Sequence, residues 1–261
     1  MSENIICSSC SKESYAKIPV LRVLEKLDEC FSKNDLAAAG RLLEYWENEA
    51  IELGDKRGLI EILNEEIGYY RRIADREKGI NAVNRAIALI EELGGENNES
   101  SGTVYLNAAT TLKSFKETLR AMELYRAAKK IYDNTLDKND FRFAAYYNNV
   151  SSAYAELGEY IKAEKCCLKA LEILKNDKRY LGERAVTHVS LAHLYYDMDN
   201  LDERVYIQME IAWDLLSCDE IEKNGNFAFV CSKCYPSFSF FGYFEYAKRL
   251  KELMEEIYER N

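Results

Sequence analysis

Proline is almost missing from this chain: Pro19 and Pro236 are the two in 261 residues. Such scarcity excludes a turn-rich sheet protein and suits long helices. Histidine is equally rare, and His188 and His193 stand five residues apart, on different faces of a helix rather than stacked as a metal pair. No run of about 18 apolar residues is present to cross a bilayer. The first twenty residues hold neither an apolar signal core nor a basic leader. No Lys/Arg block offsets a formal net charge of −10, so the basic face that a nucleic-acid binder needs is lacking. Glu-x-x-His, a phosphate loop ending in Gly-Lys-Ser/Thr and a nucleophile elbow are all missing. Carboxylates are plentiful, but on helices they usually form solvated faces rather than acid–base pairs. These absences lead to the expectation of a soluble, cytoplasmic protein that is not an enzyme. No cofactor, metal, membrane or nucleic acid is expected.

What the chain has is alanine, leucine, glutamate and lysine in helical rhythm, with 48% of residues apolar. Residues 144–174 read as two amphipathic helices hinged at Leu157-Gly158-Glu159. Steps of 42 residues from Ala170 land on Ala128, Ala86 and Ala212. The same step from Ala163 gives Ala121, Gly79, Val205 and Ala247, and from Tyr154 it gives Leu112, Tyr70, Tyr196 and Phe238. The hinge maps from Gly158 through Asn200 to Gly242, and both residue types accept left-handed backbone. In the first unit the strict step selects Ala37, whereas the hinge spacing fits Ala39 better. That unit is therefore expected to lie about two residues out of register.

Small residues opposite rings, repeated at a fixed step, resemble the tetratricopeptide repeat, a helix–turn–helix unit that must stack to bury its apolar face. The resemblance implies an all-α, right-handed α-α superhelix, or solenoid, of about six hairpins. They are expected at about residues 15–53, 56–93, 102–135, 141–176, 181–217 and 227–260, after a loose leader at 1–14. Pro236 is expected to kink its helix, and the charged face of the last helix suits an end cap. A 42-residue period exceeds the roughly 34 usual in this family. Units of this length resemble those of kinesin light chains and of peptide-sensing regulators of Gram-positive bacteria.

The resemblance also implies that the first helix of each pair lines the concave surface. Asn107 and Asn149 share a row there, with Asn148 beside the latter and Asn64 one residue off. Amides both donate and accept, so such a ladder suits an extended peptide backbone of any sequence; the competing reading is that they cross-link neighbouring helices. Arg71, Arg72 and Lys113 form a basic spot fit for a carboxylate or phosphate, and Ser152 and Asp197 lie nearby on these helices. The expected partner is a protein or extended peptide. Alternatives are a peptide-sensing regulator whose ligand changes the superhelical pitch, and a homodimer formed through the aromatic stretch from Phe227 to Phe244. Two Cys-x-x-Cys pairs, Cys7/Cys10 and Cys231/Cys234, have zinc-site spacing. Two periods separate Cys231 from Tyr147 and Cys234 from Val150, which places the second pair in a packing row, where cysteine acts as a small apolar residue.

Overall fold

The computed structural model describes residues 17–95, 98–200 and 202–260. The leader with Cys7 and Cys10 lies outside the described residues, as do residues 96–97 of the glycine-led linker and Leu201, the expected start of the tenth helix. Twelve α-helices fall within them, paired as six hairpins. The pairs are α1 (Val20–Ser32) with α2 (Leu36–Glu52), α3 (Lys56–Arg72) with α4 (Arg76–Glu92), and α5 (Glu99–Ser114) with α6 (Thr118–Thr135). The second three are α7 (Phe141–Glu156) with α8 (Tyr160–Leu174), α9 (Leu181–Met198) with α10 (Arg204–Leu216), and α11 (Gly225–Phe240) with α12 (Phe244–Arg260).

Local chemistry starts and stops these helices. Asp35, Asp55 and Asp75 each accept a hydrogen bond from the backbone N–H three residues on, at 2.9–3.1 Å, satisfying a donor that a helix start leaves free. Asp140, Asp177 and Asp202 instead cap two residues on and grip the arginine there, Arg142, Arg179 and Arg204. The turns that follow carry left-handed backbone at Asn34, Gly54, Ala74, Gly94, Lys116, Gly158 and Gly242. The first four are 20 residues apart, so hairpins one and two repeat at 40; from Ala74 through Lys116 to Gly158 the step is 42. This is the expected two-residue slip. Accordingly Ala39 is fully buried and Ala37 is exposed.

The alanine row at Ala86, Ala128, Ala170 and Ala212 is completely buried, as are Ala121 and Ala163. Rings fill the space that these small residues leave. At Gly79 a Cβ would stand 2.7 Å from the Phe115 ring, and at Gly102 it would stand 2.6 Å from that of Tyr132. The expected interlock is therefore visible as close approach, and Tyr154 packs against both main core clusters.

Three expectations need correction. Helix α5 begins at Glu99 rather than Gly102, because the Asn98 side chain accepts from the Ser100 N–H at 3.1 Å. Helix α11 likewise starts at Gly225, capped by Asn224 on the Phe227 N–H, and continues through Pro236 to Phe240. Asn200 does not share the left-handed turn geometry of Gly158 and Gly242. Here α9 ends in extended backbone at Asp199 and the next helix is capped by Asp202. In the aromatic stretch from Phe227 to Phe244, Phe227 and Phe238 are buried, whereas Phe229, Phe240 and Phe244 are exposed at 37%, 58% and 68%.

The first helices make an inner layer. Each touches the next, α1 to α3, α3 to α5 and on to α11, and α11 comes back against α1. The superhelix therefore closes into a ring. At this seam a Cβ on Gly225 would lie 3.0 Å from that of Ser32. Arg72 donates to Asn34 Oδ1 at 2.8 Å and lies over the rings of Phe31 and Phe229.

Two glycine substitutions separate close approach from helix propensity. Gly102→Ala drives a methyl into the immobile Tyr132 ring and is expected to destabilise by about 1–3 kcal/mol. Gly68 is helical with open space around it, so Gly68→Ala should stabilise by about 0.5–1 kcal/mol. Denaturant unfolding of the two variants reads both signs; a stabilised Gly102→Ala would refute the interlock at that hairpin.

Candidate functional site

The ring of first helices forms a half-open cavity of about 770 Å³, within the range of small-ligand pockets. Its wall is built from α1, α3, α5, α7 and α11, with Tyr258 of α12 reaching in. The helical period decides which side chains of α3 face inward: Glu65, Gly68 and Arg72 lie three or four residues apart on one stripe, with Arg71 beside it. Gly68 widens the space between acidic and basic ends of that stripe.

The residues singled out in the sequence separate into two groups. Arg71, Arg72, Asn107 and Asn149 line the cavity. Asn64 accepts from Asn107 Nδ2 at 2.8 Å and donates to Glu65 Oε1 at 3.2 Å, so it joins α3 to α5. Asn148 accepts from Thr187 Oγ1 at 3.1 Å and joins α7 to α9. Ser152 donates to the Asn149 carbonyl of its own helix at 3.0 Å. Lys113 and Asp197 are not on the cavity wall; burial lowers the Lys113 pKa, and Glu156 partly restores it. Three of the four asparagines, Asn64, Asn107 and Asn148, therefore cross-link helices. Asn149 alone of the four has a side chain without a hydrogen bond among the described residues.

Three groups in the wall were missed in the sequence. Phe229 and Lys233 come from α11, with the Lys233 ammonium 4.2 Å from the Phe229 ring centre. Glu65 comes from α3, and burial, with help from Asp28 and Glu61, raises its pKa against the Asn64 hydrogen bond. Nothing on the 42-residue rows could have placed Lys233 opposite Arg71, because that requires the ring to close. The cysteines of α11 behave as the packing row indicated. Cys231 and Cys234 are fully buried, and burial pushes both thiols up to about 12, far from a reactive thiolate. His188 and His193 are engaged with Gln208 and Ser237.

Comparison with known proteins places this geometry. Residues 143–176, the fourth hairpin, match the model of the tetratricopeptide repeat. Among solved structures the chain is similar to BtubC (BKLC) from P. vanneervenii, with a TM-score of 0.57 and 18% identity over 92% of this chain and 91% of that one. It is also similar to a putative kinesin light chain from Podosopora anserina with nearly identical TPR-like repeats (TM-score 0.51, 16% identity, 75% of this chain and 92% of that one). These identities speak for fold alone. No curated protein matches the chain.

A second polar cluster lies outside the ring, between α2, α3 and α4. Glu66 is buried with Oε1 lacking a hydrogen-bond partner, beside Glu47, which is paired to Arg85. Burial first, then the neighbouring Glu47 carboxylate, raises the Glu66 pKa to about 8. A folded-state pKa above the unfolded value means stability that is complete below about pH 4.5 and lost as pH rises through about 8. Glu66→Gln removes this titration while keeping the volume. The wild-type Tm should fall by a few degrees more than that of Glu66→Gln between about pH 6 and pH 9; parallel profiles would show that Glu66 ionises freely.

Proposed function

We propose that this chain, a tetratricopeptide-repeat protein, is a non-catalytic scaffold that holds a peptide or protein segment in the cavity within its ring of first helices. The supporting observation is that the cavity wall joins open space at Gly68 with polar groups that the fold does not use up. Asn149 offers an amide able to donate and accept at once, as recognition of a peptide backbone requires. The rings of Phe31, Phe229 and Tyr258 supply apolar surface beside it. Closure of the ring favours a segment short enough to enter over one laid along an open groove.

The alternative of a regulator is supported by Arg72, which both lines the cavity and clasps the seam between α1 and α11. A ligand that drew Arg72 inward would loosen the seam and change the pitch of the array. Self-association rests on Phe240 and Phe244, exposed at the end of the aromatic stretch.

A peptide library displayed on phage tests the cavity directly. The wild-type chain is expected to enrich a defined sequence class. Gly68→Phe, which fills the cavity from a position without neighbours, should lose that enrichment while keeping its helical circular dichroism. Asn149→Ala should weaken an enriched peptide about tenfold, the effect of one buried hydrogen bond. Undiminished binding to Gly68→Phe would remove the cavity from this reading.

A further inference from the structure

We propose that the cavity is an anion site, in which a carboxylate or phosphate group of the ligand is bridged between Arg71 of the second hairpin and Lys233 of the last. The inference rests on the reading of the cavity as the binding site. Both cations line it from different arms of the ring. Neither has a carboxylate within ion-pair distance among the described residues. For Arg71 the one side-chain hydrogen bond is a long one, 3.4 Å from Nη1 to Thr111 Oγ1. The Lys233 ammonium rests over the Phe229 ring and donates to no oxygen there.

Elsewhere in the chain, basic residues at helix ends find acids readily. Arg76 reaches Glu117, Lys116 reaches Glu156 and Lys178 reaches Glu220, all across neighbouring hairpins. Other bases without an ion pair, such as Arg41, Arg57 and Arg126, stand exposed on outer faces, whereas Arg71 is half-buried in the cavity wall. Surrounding protein holds both groups below their usual pKa, although Lys233 stays open to solvent on the cavity side; Arg71 pushes Lys233 down further, and Cys234 and then Glu183, on α9, act on it in the other direction. Two neighbouring cations on one wall are relieved by a shared anion, and charge-assisted hydrogen bonds are strong ones. The acids of the cavity, Asp28 and Glu65, belong to α1 and to the earlier turns of α3. They repel an anion from that end and leave the Arg71–Lys233 end as its place. Because Lys233 arrives only through closure of the ring, the bound anion would also bolt the last hairpin to the second.

Thermal unfolding of the full chain tests this, with inorganic phosphate and succinate as separate probes at up to ~10 mM and constant ionic strength, too dilute for general salting-out stabilisation. The wild-type Tm is expected to rise with at least one probe and to saturate, as specific binding does. Response to succinate marks a carboxylate ligand, and response to phosphate alone marks a phosphorylated one. Arg71→Met and Lys233→Met should each move the midpoint of that response about tenfold or more. Without anion, Lys233→Met should melt no lower than wild type, since a like charge is removed. Equal responses in wild type and both variants, or no response to either probe, would overturn the proposal. Peptide enrichment that Gly68→Phe abolishes, together with a wild type unmoved by both anions, would retain the cavity and discard the anion site.

Discussion

Alanines at 86, 128, 170 and 212 are buried to the last square ångström, and their smallness sets how near one helix can come to its partner. A helix pair has too little surface to bury its own apolar face. Contact must therefore continue sideways, and each hairpin takes its place from the previous one. The rings of Phe115 and Tyr132 rest on Gly79 and Gly102 where a Cβ would already collide, so the step from hairpin to hairpin is fixed by shape and leaves little play. Repeating a fixed step five times carries α11 around to α1.

Ring closure alters what the concave face can be. An open superhelix offers a groove along which an extended segment lies across several repeats. Here the same inner helices surround a space of about 770 Å³, and a ligand has to enter it. The seam that makes the difference is slight beside the hairpin interfaces. It consists of a glycine against Ser32 and of Arg72 shared between Asn34 and two phenylalanine rings. A contact of this kind opens at lower cost than any hairpin, since it buries little apolar surface and its cation–π pairs are worth of order 1 kcal/mol each. Access and closure are thus governed at one place, by an arginine that also touches the cavity.

The sequence carried the interlock openly, because burial of Ala128 or Ala163 depends on neighbours a fixed step away. Even the register slip of the first hairpin was legible, since Ala39 fits a hinge that Ala37 does not. Boundaries were less so: Asn98 and Asn224 start their helices earlier than the apolar pattern does, through single side-chain bonds. The turn at Asn200 failed because a residue type that tolerates left-handed backbone does not require it. For the site, Arg71, Asn107 and Asn149 were found by asking which polar residues stand on first helices. Asn64 and Asn148 satisfied the same question yet lie off the cavity wall, where their side chains cross-link helices. Lys233 was out of reach altogether. Its meeting with Arg71 sums four hairpin-to-hairpin rotations, each too small to be read from residue types.

Unpaired charge behaves differently on the two sides of the inner layer. On the outer side burial, and then the neighbouring Glu47 carboxylate, outweigh Arg85 in raising the pKa of Glu66, so the group adapts to the fold by holding a proton. Arg71 has no such escape, because a guanidinium does not give up its proton in a protein. Its enclosure therefore costs stability that the chain does not recover from its own residues. Only a group from outside the chain completes the electrostatics of that wall, and it does so where the second and last hairpins face each other. Occupancy of the cavity and closure of the ring are on this argument one equilibrium.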